Sequence, residues 1–239
     1  MWLMTDYLAT GLYSLKVSTA TSSGGKTLLV PTPYALKMAL LDVGFRLLGL
    51  ERAQEIWPTL RDLQVACRLP KRAVVTNLFT RVLKPSRNPA PPGTPEAGPL
   101  GRTIGYREYV YFDGPLGIAL GTSKDTIPDW LPQLMLAVNY LGKRGGFIQA
   151  TRVPESTPNL PPGAVCLNPA GGQTQFAMDG VLQLLDDCGE KMSLEQANIY
   201  SGKSVRMGKD RLSYPVVIPY RLVRSSKSYS LYERLEQAG

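Results

Sequence analysis

Leu134–Gln149 reads LMLAVNYLGKRGGFIQ, and the reading of this stretch decides the fold. Together with Leu131, its Leu134, Met135, Val138 and Leu141 fall at i, i+3, i+4, i+7 and i+10, one face of a helix. Pro128 sits in the first turn, where a missing N–H costs little. Gly142 is placed to end the helix. Lys143, Arg144, Gly145 and Gly146 then make a short cationic turn, and Phe147 to Val153 reads as a strand. Two readings of the turn stand side by side. Glycines let backbone approach a ligand closely, and Lys with Arg suits a phosphate. The plainer reading, preferred for the turn taken alone, is a helix cap whose two cations complement the dipole at its C-terminus.

Working outward, Trp2 to Val17 reads as one long strand, with Leu12, Ser14 and Lys16 alternating against Tyr13, Leu15 and Val17. Pro31 and Pro33 introduce a helix. Leu36, Leu40, Val43 and Leu47 form one apolar stripe, and Met38, Leu41, Phe45 and Leu48 a second, so burial on much of its circumference is expected. Gly49 ends it, and a short helix over Glu51 to Leu60 follows. Gln64 to Leu69 and Ala73 to Leu83 read as strands. Pro85 to Gly101 is too rich in Pro and Gly for regular structure. Arg102 to Phe112 and Leu116 to Gly121 return as strands. Set aside the hairpin, and the order is β-α-β-β-α-β, the ferredoxin-like pattern shared by RNA-recognition folds. The fold class is thus α/β in the α+β sense: an RRM-like core over residues 1–153, a basic hairpin inserted at about 71–107, and a C-terminal extension, 154–239, packed on the core. Within the extension, Tyr214 to Val223 is the clearest strand.

Composition bounds the function. The 239 residues are 44% hydrophobic and 19% charged, a globular balance, with a formal net charge of +8. That surplus favours a polyanionic partner. It is also concentrated. Arg68 to Arg107 holds eight cations opposed only by Glu96, and Lys203 to Lys227 holds seven opposed only by Asp210. Phe79, Tyr106, Tyr109 and Tyr111 interleave with the first group, a combination suited to single-stranded nucleic acid. The plainer alternative is a solvated hairpin face with its aromatics on the core, and for the tail that alternative is preferred.

Other chemistries fit poorly. There is no histidine, and Cys67, Cys166 and Cys188 are far apart, so neither a His/Cys zinc site nor a histidine triad can be assembled. The cysteines read as buried, reduced thiols of a cytoplasmic protein. MWLMTDYLA lacks a basic leader, and no apolar run is long enough to span a bilayer, so no membrane partner is expected. ATSSGGKT, Ala20 to Thr27, nearly spells a phosphate-binding loop. Its first glycine is Ala20, however, and LLVPTP intervenes where a helix should begin. Asp186 and Asp187 would point apart and read as a solvated acidic patch, not a metal pair. No cofactor or metal is expected.

Three segments resemble the Cas five family of CRISPR-associated RAMP proteins: the first strand and loop leading into PTPYALKMALL, Pro31 to Leu41; the basic hairpin from about Lys71 to Arg107, similar to the family's thumb; and YLGKRGGFI, Tyr140 to Ile148, similar to its glycine-containing turn. The resemblance implies a noncatalytic, RNA-binding subunit of a type I Cascade complex. Such a subunit caps the 5′ handle of the crRNA and docks the neighbouring backbone and large subunits, with target DNA near the PAM a further candidate partner. Carried over, Tyr34 would stack on a base, Phe79 would wedge between bases, and Lys37, Lys71, Arg72, Arg81, Arg107, Lys143 and Arg144 would meet RNA. Some relatives cut precursor RNA with a Tyr/Lys/His set. A metal-independent endoribonuclease using Lys and Tyr is therefore the alternative, weakened here by the missing histidine. A basic subunit contacting mainly protein or DNA is the third.

Overall fold

The computed structural model describes residues 1–17, 25–95, 97–142, 145–168 and 179–235. Strand β1 (Trp2–Ala9) is followed by helix α1 (Pro33–Arg61) and strand β2 (Gln64–Arg68). A long hairpin, β3 (Arg72–Pro85) with β4 (Leu100–Asp113), comes next, then β5 (Leu116–Gly121), helix α2 (Leu131–Ala137) and β6 (Ile148–Ala150). β7 (Glu155–Thr157) and β8 (Ala164–Cys166) extend the core sheet. The chain closes with β9 (Val181–Cys188), α3 (Leu194–Ala197), β10 (Arg211–Ile218), β11 (Tyr220–Ser225) and β12 (Tyr229–Arg234).

The core sheet runs β6-β1-β5-β2-β8, with β7 also on β1, and its pairs are antiparallel. β5 lies between β1 and β2, and β1 between β5 and β6. Each helix therefore bridges two strands separated by a third, the interleaved split β-α-β arrangement expected from the sequence. β5 is apolar and buried along its whole length: Leu116, Ile118 and Leu120 pack in the main core, while Gly117, Ala119 and Gly121 lie under Met4, Arg68 and Trp2 of the flanking strands.

α1 starts where the prolines say it should. Thr32 Oγ1 accepts from Ala35 N at 3.1 Å, and Pro33 occupies the first turn. At Gly49 the backbone takes φ 80°, ψ 174°, which breaks the helix into the two pieces the sequence suggests. Leu36, Leu40 and Val43 are buried. Leu47 of the first stripe and Phe45 of the second are exposed, so both stripes are covered only over the first half of the helix.

Three expectations need correction. β1 ends at Ala9; beyond it the alternation continues against different partners, Tyr13 with Val110 and Lys16 with Thr27. α2 ends at Ala137, and Val138 is already extended. Leu131, Leu134, Met135, Val138 and Leu141 are all buried nonetheless, so the spacing identified core positions but overran the helix. Tyr214 to Val223 is not one strand: after Ile218 the chain leaves β10 and starts β11 in another sheet.

The turn after α2 is a closed loop. Leu141 N donates to Gly146 O at 2.9 Å, and Tyr140 bridges Phe147. Gly142 has φ 68°, and a Cβ there would overlap Leu15 Cδ1. Gly142→Ala is expected to cost about 1–3 kcal/mol, from the left-handed backbone and the displaced leucine. Gly145, at φ 104°, has nothing within 4 Å of a built Cβ, so Gly145→Ala should carry only the backbone part. Urea unfolding of the two variants measures the difference.

One buried cluster joins the core elements to Leu185 of β9, Met192, Val216 and Ile218 of β10, and Tyr220 of β11. The second sheet runs β11-β12-β3-β4, so the end of the chain pairs directly with the inserted hairpin. β3 runs to Pro85, which pairs with Leu100 at the start of β4, and between them the described residues carry only turns, bends and an isolated Ala90–Ala97 bridge.

Candidate nucleic-acid interface

The hairpin has two faces, set by its register. Ala73, Val75, Asn77, Phe79, Arg81 and Leu83 lie opposite Phe112, Val110, Glu108, Tyr106, Ile104 and Arg102. At the base of this inner face Ala73, Val75, Val110 and Phe112 are buried in the core. Further out the strands outrun the core, and the same face emerges into solvent. There Phe79 is 65% exposed, with Leu83 and Ile104 similarly bare, and Arg81 and Arg102 alternate with them. Phe79 packs on Tyr106 with ring centroids 5.0 Å apart.

Tyr106 is fixed from below. Its hydroxyl donates to Glu108 Oε1 at 2.7 Å and lies 3.1 Å from Asn77 Oδ1. Partial burial and the bond to Glu108 push its phenol up to about 12, so it holds its proton at neutral pH. Glu108 Oε2 accepts from Thr27 N at 2.8 Å, which ties the loop before α1 to the hairpin. Thr27 then leads into buried Leu28 to Val30, not into a helix, so the required context of a phosphate-binding loop is missing. Residues 18–24 of that loop lie outside the described residues.

A cavity of about 710 Å³ opens beside the first turn of α1. Tyr34, Met38, Phe45, Tyr140 and Tyr200 are among its aromatic and apolar lining, together with Leu15 and Gly142. Its size and mixed lining suit a group as large as one nucleobase. The cavity and the hairpin share a segment: Tyr13 pairs with β4, while Leu15 and Lys16 line the cavity.

Tyr34 is expected to stack on a base, but one of its faces is already covered. The Arg211 guanidinium carbon stands 4.0 Å from the ring centroid, and Arg211 is itself paired with Asp186. Only the other side of the ring is left for a ligand. Burial raises the Tyr34 phenol, and Arg211 opposes that shift.

Lys37 is a clear correction. It does not face outward to meet phosphate; it is 1% exposed. Its ammonium donates to Arg61 O at 2.6 Å and to Asp187 Oδ2 at 2.9 Å. Asp187 also accepts from Asn168 Nδ2 at 2.6 Å and Cys188 N at 2.7 Å. Burial raises the Asp187 carboxyl, while Lys37 and these donors pull it back. Asp186 and Asp187 do point apart, but both are buried and individually paired, so they are no solvated patch. Among the described residues no group of three or more His, Cys, Asp or Glu could hold a metal.

The other candidates separate by face. Phe79 and Arg81 share the inner face. Arg72 and Arg107 lie on the outer one, where Arg72 pairs with Glu233 at 3.0 Å. Lys71 is exposed just before β3. Lys143 and Arg144 lie outside the described residues. Sequence reasoning missed Arg211 and Tyr200 as parts of the Tyr34 site. Arg211 belongs to the basic tail, and only its pairing with β9 brings it to α1. The three cysteines are free, and no described helix is long and apolar enough to cross a membrane.

No family model matches the sequence. A curated relative, the CRISPR-associated protein Cas5 of Archaeoglobus fulgidus, is 24% identical over 236 residues, covering 97% of this chain and 98% of the relative. Among solved structures, a CRISPR protein from Archaeoglobus fulgidus aligns with TM-score 0.47 and 11% identity, over 98% of this chain and 92% of that one. A chain of a CRISPR RNA-guided surveillance complex aligns with TM-score 0.45 and 12% identity, over 98% and 89%. The likeness to the Cas five family, carried in the sequence by three short segments, thus extends over nearly the whole chain, which is similar to Cas5 from end to end.

Proposed function

We propose that this chain is a noncatalytic subunit of a CRISPR RNA-guided complex, in which it holds the 5′ handle of the crRNA and docks neighbouring backbone and large subunits. The observation that carries the reading is the outer half of the hairpin. Its inner face alternates bare apolar side chains, Phe79, Leu83 and Ile104, with Arg81 and Arg102. Flat or apolar groups suit bases and cations suit phosphates, and here they alternate along one extended surface. The full-length likeness to Cas5 supports the same reading. In this account the hairpin closes over an RNA strand, and one base enters the cavity against the open face of Tyr34. Lys143 and Arg144 add cations from the turn that follows Gly142. The complex works in the cytoplasm, with target DNA near the PAM a further contact. No catalytic role is assigned: Lys37 is held in a buried ion pair with Asp187.

The test is binding of labelled repeat RNA by the chain assembled with its complex partners, across a range of salt. Phe79→Ala/Arg81→Ala and Lys143→Ala/Arg144→Ala should each weaken handle binding by about tenfold or more, with intact RNA recovered throughout. Loss of cations should also flatten the dependence on salt. Site-specific cleavage products would overturn the noncatalytic reading in favour of a ribonuclease. Affinity unchanged when the handle is deleted would overturn handle capture.

A further inference from the structure

The outer face of the second sheet is a separate surface, and the tail of the chain completes it. In the ladders, Arg221 faces Glu233, which faces Arg72. One row further, Arg224, Leu231, Val74 and Tyr111 line up across all four strands. The next row sets Tyr229, Thr76 and Tyr109 side by side, and beyond it Leu78 lies opposite Arg107. The alternate rows, whose side chains point the other way, hold buried Ala73, Val75, Val110 and Tyr220, so the rows named here face solvent. Tyr111 is 54% exposed, and Arg72, Arg221 and Arg224 are exposed as well. The two basic segments, 68–107 and 203–227, are far apart in sequence and meet here. Four arginines share the face with two acids, Glu233 and Asp113, and Glu233 lies between Arg72 and Arg221 at 3.0 and 3.5 Å.

We infer that this outer face is a second binding platform for single-stranded nucleic acid, distinct from the inner face of the hairpin. Tyr109 and Tyr111 are two residues apart on one strand, roughly 6.5–7 Å, so their rings can meet successive bases of an extended strand. Tyr229 offers a third aromatic in the row of Tyr109. Arg107 and Arg224 flank the aromatics and supply charge for phosphates. A four-stranded sheet bearing aromatics on its open face is a recurring way to bind unpaired bases. The platform does not depend on handle capture, because none of its side chains lies on the inner face or in the cavity.

The test uses the full chain with one equivalent of unlabelled handle RNA, so that the first site is filled while the platform stays open to the probes. Labelled oligouridine RNA and oligothymidine DNA, each about 12 nucleotides, serve as probes in fluorescence anisotropy over a salt series. Tyr109→Ala/Tyr111→Ala should weaken the preferred probe by about tenfold or more, Tyr111→Phe should retain binding, and Arg107→Gln/Arg224→Gln should flatten the salt dependence. The arm that is lost identifies the strand as RNA or DNA. Affinity and salt dependence unchanged in both arms would overturn the platform. So would the absence, in the wild-type chain, of ultraviolet crosslinks from thiolated probes to the peptides holding Tyr109, Tyr111 or Tyr229, a readout that needs no variant to fold. Phe79→Ala/Arg81→Ala should leave these probes unaffected, so a failure of handle capture is seen separately.

Discussion

Lys37→Ala is expected to lower the stability of the chain by about 3–5 kcal/mol, because it leaves the Asp187 carboxylate buried with its charge unanswered. For a chain of this size that corresponds to a fall in Tm of roughly 6–20 °C. Lys37 and Asp187 are 2% and 6% exposed at their side chains, and the 2.7 Å pair connects α1 to β9. Asn168 widens the link: its Oδ1 accepts from Val65 N at 2.6 Å, and its Nδ2 donates to Leu63 O at 3.1 Å as well as to Asp187. One polar cluster thus locks the first helix, the second strand and the late hairpin in place. If the loss comes from stranding a charge, it should shrink when the charge is removed first. In an Asp187→Asn background, Lys37→Ala should cost less by about 1–3 kcal/mol. Chemical unfolding of the four-member cycle measures this. Equal costs in both backgrounds would mean that Lys37 acts through packing of its stem and its bond to Arg61 O, not through the ion pair.

The sequence made the strand and helix order of the core legible because each element there is decided by its neighbours in the chain. β5 is a pure apolar run, the α1 start is spelled by Thr32 and Pro33, and the break at Gly49 is a single residue. Where the reading went astray, a distant partner had decided. Tyr13 pairs with Val110 of the hairpin, not with a neighbour of the strand whose alternation it continues. Lys37 looked like a surface cation at a helix start, and its partner lies 150 residues away. A local sign was present: Leu40, Leu41 and Gly44 follow Lys37 at helical spacing, so the lysine sits on an apolar face. Of the site, the basic and aromatic content of the hairpin was visible. Which side chain falls on which face was not, because a register shift of one residue exchanges the faces. The tail cations read as a solvated face for the same reason, since nothing local shows that β12 pairs with β3.

That pairing carries the second large effect. Tyr220→Ala is expected to cost about 3–5 kcal/mol, the range for truncating a large buried aromatic. Tyr220 is 0% exposed at the start of β11, and its hydroxyl donates to Pro70 O at 2.9 Å, just ahead of the hairpin. Tyr220→Phe removes only that bond and should cost about 1 kcal/mol. Most of the difference is then the ring, which packs beside Tyr232 with centroids 6.5 Å apart. Beyond stability, Tyr220→Ala should loosen β12 from β3, and amide exchange at Tyr229 to Glu233 should rise well before exchange in β5. Slow exchange persisting there would mean that the tail holds to the hairpin by its backbone ladder and the Arg72–Glu233 pair, without the ring. Rapid exchange would mean that the hairpin is braced by a single buried tyrosine, so that any surface built on its outer face depends on the last strands of the chain.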